Sequence, residues 1–191
     1  AVREVVEDWS DLAGELALAF WPGPLTLVAR RHRAFPDAVS AGLDTIAVRV
    51  PDHRVARRLA AAAGPVAAPS ANRSGRPSPT TARHVIDDLG DLVDVVIDAG
   101  PCRRGLESTV VDVTGARPLV LRPGSIAIED LTAAVGAVDL HPSVDDPDDT
   151  ADARAPGMRH RHYSPRAQLW LIEGEEEAQR TRLHDRAEEH G

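Results

Sequence analysis

Apolar and polar positions along this chain follow two periods, one helical and one of short β-branched runs. Residues 8–20, DWSDLAGELALAF, carry apolar side chains at helical spacing and stop at WPGP, where proline and glycine break the pattern. LTLVARR (25–31) and TIAVRV (45–50) predict strands. DHRVARRLAAAAG (52–64) returns to a helical period, with Asp52 as the expected N-cap and Gly64 as the stop. PVAA (65–68) predicts a short buried strand, and TTARHVIDDLG (80–90) a helix opened by Thr80 or Thr81. LVDVVIDAG (92–100), STVVDV (108–113) and PLVLR (118–122) predict three more strands, and AIEDLTAAVGA (127–137) a short helix. Helices and strands alternate first and strands then run together, which predicts an α/β fold with a mixed, twisted sheet.

The pattern lapses at residue 138. DLHPSVDDPDDTADARAPGM is acidic, rich in Pro and Asp, and without a period, so 138–166 reads as a linker. AQLWLIEG (167–174) predicts a fresh strand and EEEAQRTRLHDRAEEHG a polar helix or tail, together the start of a second domain at 167–191. The expected organisation is one α/β domain over 1–137, the linker, and that start.

Composition narrows the function classes. All 22 basic residues are arginine, and the formal net charge is −8, which disfavours broad nonspecific nucleic-acid binding. A local cationic cleft stays open, because much of the acid lies in SVDDPDDTADA and EGEEEA while arginines gather near the proline-rich loops. No apolar run approaches the ~18–20 residues of a membrane span, so no membrane association is expected. Cys102 is the one cysteine, which rules out an intrachain disulfide or multi-cysteine metal site and fits a cytoplasmic location. The chain opens at AVREVVEDW, and a segment ahead of it is expected.

APSANRSGRPSPTT (68–81) is the stretch richest in candidate chemistry. It leads from an apolar run into a helix N-terminus, where free N–H groups and the helix dipole favour anions. Ser70, Ser74 and Ser78 offer hydroxyls, Asn72 an amide, and Arg73 and Arg76 bidentate guanidinium groups. A plain loop of turn-forming residues with an ordinary Thr cap reads equally from composition. In LDTIAVRVP, Thr45 and Arg49 sit four apart and share a strand face; Arg49 needs either a structural carboxylate or an anionic ligand. Ser108 opens one strand, beside Glu107, and Arg122 ends another; each is either a ligand contact or an ordinary strand terminus. His160 and His162, two apart in a loop, are weak metal evidence, so no metal site is expected. Tyr163 is the one tyrosine, placed where it folds back over a cleft or serves no ligand at all.

Taken in order, FWPGPLTLV, GLDTIAVRVP, PVAAPSANRSGRPSPTTARHV, GLESTVVDV, LVLRPGSI and APGMRHRHYSP resemble the threonylcarbamoyl-AMP synthase family, with its YrdC-type domain and a HYxP-like linker of the two-domain form. The resemblance spans 10–167. It implies a twisted α/β sheet with a basic cleft, and a smaller Rossmann-like domain after the linker. It implies condensation of L-threonine, bicarbonate or CO2, and ATP into threonylcarbamoyl-AMP and pyrophosphate, with Mg²⁺ on the ATP. The product would serve tRNA modification through downstream proteins, with direct tRNA contact left open.

The resemblance assigns Thr45, Ser70, Asn72, Ser78 and Arg122 to the nucleotide, Arg49 and Ser108 to threonine, and Tyr163 to ATP from the linker. It names no catalytic side chain. It also implies a preceding segment with a phosphate-binding lysine. Since no lysine occurs here, little or no turnover is expected from residues 1–191 alone, and missing strands would leave an apolar face open. A non-catalytic RNA- or nucleotide-binding module and a related carbamoyl-transfer domain are the alternatives. Salt-sensitive RNA affinity without nucleotide competition would favour the first; the linker, and the lack of zinc-finger cysteines, disfavour the second.

Overall fold

The computed structural model describes residues 2–144 and 172–190. The elements are helices α1 (Val2–Val5), α2 (Asp11–Phe20), α3 (Arg54–Ala63), α4 (Ala82–Leu89), α5 (Ile128–Val135) and α6 (Glu176–His190), and strands β1 (Leu25–Arg30), β2 (Thr45–Val48), β3 (Thr109–Asp112), β4 (Leu119–Arg122) and β5 (Asp139–Leu140). The strands form one sheet in the order β2-β1-β3-β4-β5. β1 runs antiparallel to β2 and parallel to β3, β4 antiparallel to β3, and β5 parallel to β4. This is the expected α/β architecture with a mixed sheet.

The two-residue period of the strands sorts their buried side chains onto two faces. Leu25, Leu27 and Ala29 of β1, Val111 of β3 and Val120 of β4 pack with Ala13 and Leu16 of α2 and Leu131 of α5. The opposite face holds a smaller cluster of Val28, Val110 and Leu121. α2 begins where Ser10 accepts a hydrogen bond from the Ala13 N–H at 3.2 Å, an N-cap of the usual kind. α4 is capped likewise by Thr81, which accepts from the His84 N–H. α3 ends at Gly64, whose φ of 83° suits glycine.

Several expectations are corrected. Residues 65–68 and 92–100 are not strands, because none of the described residues supplies them a hydrogen-bonded ladder. Val66, Val93, Val95 and Ile97 are exposed there, as are Val55 and Leu59 of α3 and Ile86 of α4. No residue from 51 to 107 is fully buried. The helical period of α3 and α4 is real, but nothing among the described residues covers their apolar stripes. Asp52 does not cap α3: His53 holds that position without a side-chain bond, and Asp52 lies 3.9 Å from Arg103 instead. β5 extends the sheet past residue 138, and His141 behind it is buried. The polar helix expected near the end is α6; of the strand expected at 167–174, only 172–174 are described, and they are not strand.

Candidate functional site

WPGP shapes the site at the entry to β1. The Trp21–Pro22 bond is cis. Trp21 Nε1 donates to the Leu25 carbonyl at 2.7 Å, fixing the turn on the strand it precedes. Gly23 N–H donates to the Val50 carbonyl at 2.9 Å, and Arg49 Nε to the Gly23 carbonyl at 3.0 Å. A Cβ on Gly23 would overlap the Phe20 carbonyl oxygen, so only glycine fits. The turn therefore holds Arg49, just beyond β2, at the start of β1.

Ser108 reaches the same end from the neighbouring strand. β1 and β3 are parallel, with Leu25 opposite Thr109, so the residue before Thr109 lies beside the β1 entry. Thr26 and Ser108 hydroxyl oxygens are 2.7 Å apart. Thr109 Oγ1 donates to the Ile126 carbonyl at 2.8 Å and accepts from the Ile126 N–H at 2.9 Å, tying the strand start to the turn after β4.

A β-bulge brings in Arg122. Val110 opposes Arg122, but Val111 opposes Val120, so Leu121 is the extra residue. Directly opposed residues share a face, and the bulge therefore turns Arg122 to the face of Val110 and Ser108. Arg122 Nη2 donates to the Ser108 carbonyl at 2.9 Å and to its hydroxyl at 3.3 Å. Gly124 follows. A Cβ there would stand 2.5 Å from the Ser108 carbonyl carbon and the Thr109 nitrogen.

Arg49 and Arg122 thus flank Ser108 as two cations at one sheet end. Partial burial first, and repulsion from Arg122 second, lower the pKa of Arg49. Arg49 stays charged at neutral pH, since even a lowered guanidinium is strongly basic. Two crowded guanidinium groups beside a buried hydroxyl make a seat for a small anion, such as a carboxylate.

Thr45 is not part of this group. It pairs with Arg30 at the far end of β2, while Arg49 follows Val48, which pairs with Leu27 near the site. Ser70, Asn72 and Ser78 lie in the loop that precedes α4, with Ser70 exposed and Asn72 and Ser78 half-buried. Asn72 Nδ2 donates to the carbonyls of Arg73 and Arg76 at 2.9 and 3.0 Å, stapling the loop. Its Oδ1 is buried with no hydrogen-bond partner among the described residues. Both Nδ2 partners are acceptors, so the amide cannot be turned round to satisfy it. Tyr163, His160 and His162 lie outside the described residues. Among the described residues no group of three or more His, Cys, Asp or Glu is placed to hold a metal ion, and no helix is long and apolar enough to cross a membrane.

The sequence reading does not single out Thr26 or Gly124. A lone hydroxyl inside the apolar run LTLVA was the available signal for Thr26. Nothing local signalled the Gly124 contact, because it depends on the neighbouring strand.

Comparison with known proteins places the chain in a family. Residues 1–124 match the family model of Sua5, YciO and YrdC proteins, described as Telomere recombination, and residues 126–191 match the Threonylcarbamoyl-AMP synthase C-terminal domain. The chain belongs to the Sua5/YciO/YrdC family. It is 44% identical to a threonylcarbamoyl-AMP synthase of Pyrococcus abyssi over 96% of this chain and 53% of that protein. With the synthase of Bacillus subtilis the identity is 42%, over 86% of this chain and 48% of that one. The chain spans about half the length of these curated relatives. The crystal structure of P. abyssi Sua5 complexed with L-threonine superposes with a TM-score of 0.90 at 40% identity, covering 97% of this chain and 54% of that one.

Proposed function

We propose that the protein carrying these residues is a nucleotidyltransferase that makes threonylcarbamoyl-AMP and pyrophosphate from L-threonine, bicarbonate or CO2, and Mg–ATP, in the cytoplasm, for tRNA modification by downstream proteins. The observation that carries the reading is the pair Arg49 and Arg122 on either side of Ser108. That seat suits the threonine α-carboxylate, and a relative of the same fold has been crystallised with L-threonine.

The chemistry needs positioning more than a nucleophilic side chain. The threonine amine attacks CO2 and loses a proton, giving a carbamate. A carbamate oxygen then attacks the α-phosphorus of ATP, the bond from that phosphorus to the bridging oxygen breaks, and pyrophosphate leaves with the electron pair. Arg49 and Ser108 would hold threonine, and Arg122 would neutralise charge where it meets the nucleotide. Ser70, Asn72 and Ser78 would hold the nucleotide in the loop before α4, the two serines through their hydroxyls and Asn72 through the turn it closes. Thr45 and Tyr163 complete the proposed ATP contacts. Mg²⁺ enters on the triphosphate as part of the substrate.

The test is pyrophosphate release from Mg–ATP. Release that needs both threonine and bicarbonate, and is lost in Arg49→Ala, is expected; release indifferent to threonine would overturn the reading.

A further inference from the structure

We propose that Asp88 is a positioning residue that holds the loop 70–78 in its nucleotide-facing shape through Arg73 and Arg76. The inference rests on the assignment of that loop to ATP above.

The loop has no apolar anchor, since none of residues 70–78 is buried. Its shape therefore depends on polar bonds. Among the described residues, the hydrogen bonds that leave the loop converge on Asp88. The Arg73 N–H donates to Asp88 Oδ2 at 2.6 Å. Arg76 Nη1 donates to Asp88 Oδ1. Arg73 Nε donates to the Asp88 carbonyl at 3.0 Å. Inside the loop, the Arg76 N–H donates to the Arg73 carbonyl at 3.1 Å, and Asn72 clamps the carbonyls of both arginines. One carboxylate thus fixes the two ends of a turn that Asn72 closes.

Its place on the helix supports the assignment. Asp88 sits in the last turn of α4, where the helix dipole disfavours a carboxylate. Its side chain is only 11% exposed, while those of Arg73 and Arg76 are 55% and 60% exposed. A carboxylate in that position needs compensation, and the two arginines supply it. Arg73 and Arg76 are accordingly engaged in the loop's own structure, and the loop offers the nucleotide its hydroxyls. A competing role is easily stated: the arginines bind the triphosphate themselves, and Asp88 merely restrains them. The two roles predict opposite signs when the carboxylate charge is removed.

The experiment compares wild type with Asp88→Asn and Asp88→Glu. Calorimetry measures Mg–ATP and L-threonine binding separately, and hydrogen exchange without nucleotide follows the amides of Arg73 and Arg76. For Asp88→Asn we expect faster exchange at both amides, Mg–ATP binding weakened roughly tenfold, unchanged threonine binding and an unchanged melting temperature. Partial recovery of both readouts in Asp88→Glu is expected, because the charge is restored on a longer stem. Tighter or unchanged Mg–ATP binding in Asp88→Asn would overturn the proposal, as would unchanged exchange at the two amides. If wild type binds threonine but not Mg–ATP, the assignment of the loop to ATP fails and the nucleotide-positioning role with it, while the exchange data still decide whether Asp88 holds the loop.

Discussion

The hydroxyl of Thr26, on β1, lies 2.7 Å from that of Ser108, at the entry to β3. Ser108 is buried, and Arg122 donates to both its carbonyl and its hydroxyl. The Thr26–Ser108 pair joins two parallel strands just where Arg49 and Arg122 converge, so the orientation of the Ser108 hydroxyl is set by its neighbours before any ligand arrives. Replacing Thr26 by Val keeps the shape and removes the partner. Thr26→Val should weaken L-threonine binding about five- to tenfold, corresponding to about 1 kcal/mol for one lost hydrogen bond. The melting temperature should fall by a few degrees, because the same hydrogen bond is lost from the fold. Calorimetric titration with threonine checks both the direction and the size.

Gly124 has a stricter requirement. A methyl group there would meet the backbone of Ser108 and Thr109 at 2.5 Å, and backbone cannot swing aside as a side-chain tip can. Gly124→Ala should push the start of β3 away, lowering stability by about 1–3 kcal/mol and abolishing measurable threonine binding. Denaturant melts and the same titration report the two effects independently.

Arg49 illustrates a site maintained against local stability. Burial and then Arg122 lower its pKa, so its charged form is disfavoured in the folded protein. The sign follows for a base: between the lowered value and the ordinary one, the unfolded chain binds more protons, so stability from this group rises with pH only in that alkaline window. At neutral pH both states are charged and the unfavourable interaction is present in full. Arg49→Met removes that interaction together with a hydrogen bond to the Gly23 carbonyl. The two changes oppose each other, and net stability should shift by less than about 1 kcal/mol, while threonine binding falls at least tenfold. A large loss of stability in this variant would show that Arg49 is held for structure instead.

Sequence patterning revealed the elements whose burial lies within these residues. β1, β3, β4, α2 and α5 all appear where the apolar periods place them, because each contributes to the one core. Residues 65–68 and 92–100 carry the same strand signal and are not strands. A β-branched run reports a capacity to be buried, and a strand also needs a neighbour's backbone. Arg49, Ser108 and Arg122 were legible as polar groups at strand ends, but what brings Arg122 to Ser108 is the bulge at Leu121, which no local pattern announces. Asp88 was invisible for a related reason: it reads as one of two aspartates in an ordinary helix until the loop folds back onto it. Thr45 and Arg49 share a strand face, as their four-residue spacing implies, and the same spacing sets them at opposite ends of β2.

The stretch from 51 to 107 should be the least protected part of the domain. It contains no fully buried residue, whereas Leu25, Leu27, Val111 and Val120 in the sheet are wholly enclosed. Native-state hydrogen exchange on residues 1–191 should show α3 and α4 opening well below the free energy of global unfolding, with the amides of β1 and β3 exchanging last. Equal protection in α4 and β3 would contradict this.

The most direct test of the function follows carbon from bicarbonate. The protein, in the longest natural form that carries these residues, is incubated with Mg–ATP, L-threonine and carbon-13 bicarbonate, and the nucleotide products are analysed by mass spectrometry. A product containing AMP, threonine and one labelled carbon, formed together with pyrophosphate and lost in Arg49→Ala, is expected. ATP breakdown that leaves no label joined to AMP would contradict the assignment of Arg49, Ser108 and Arg122 to the synthesis of threonylcarbamoyl-AMP.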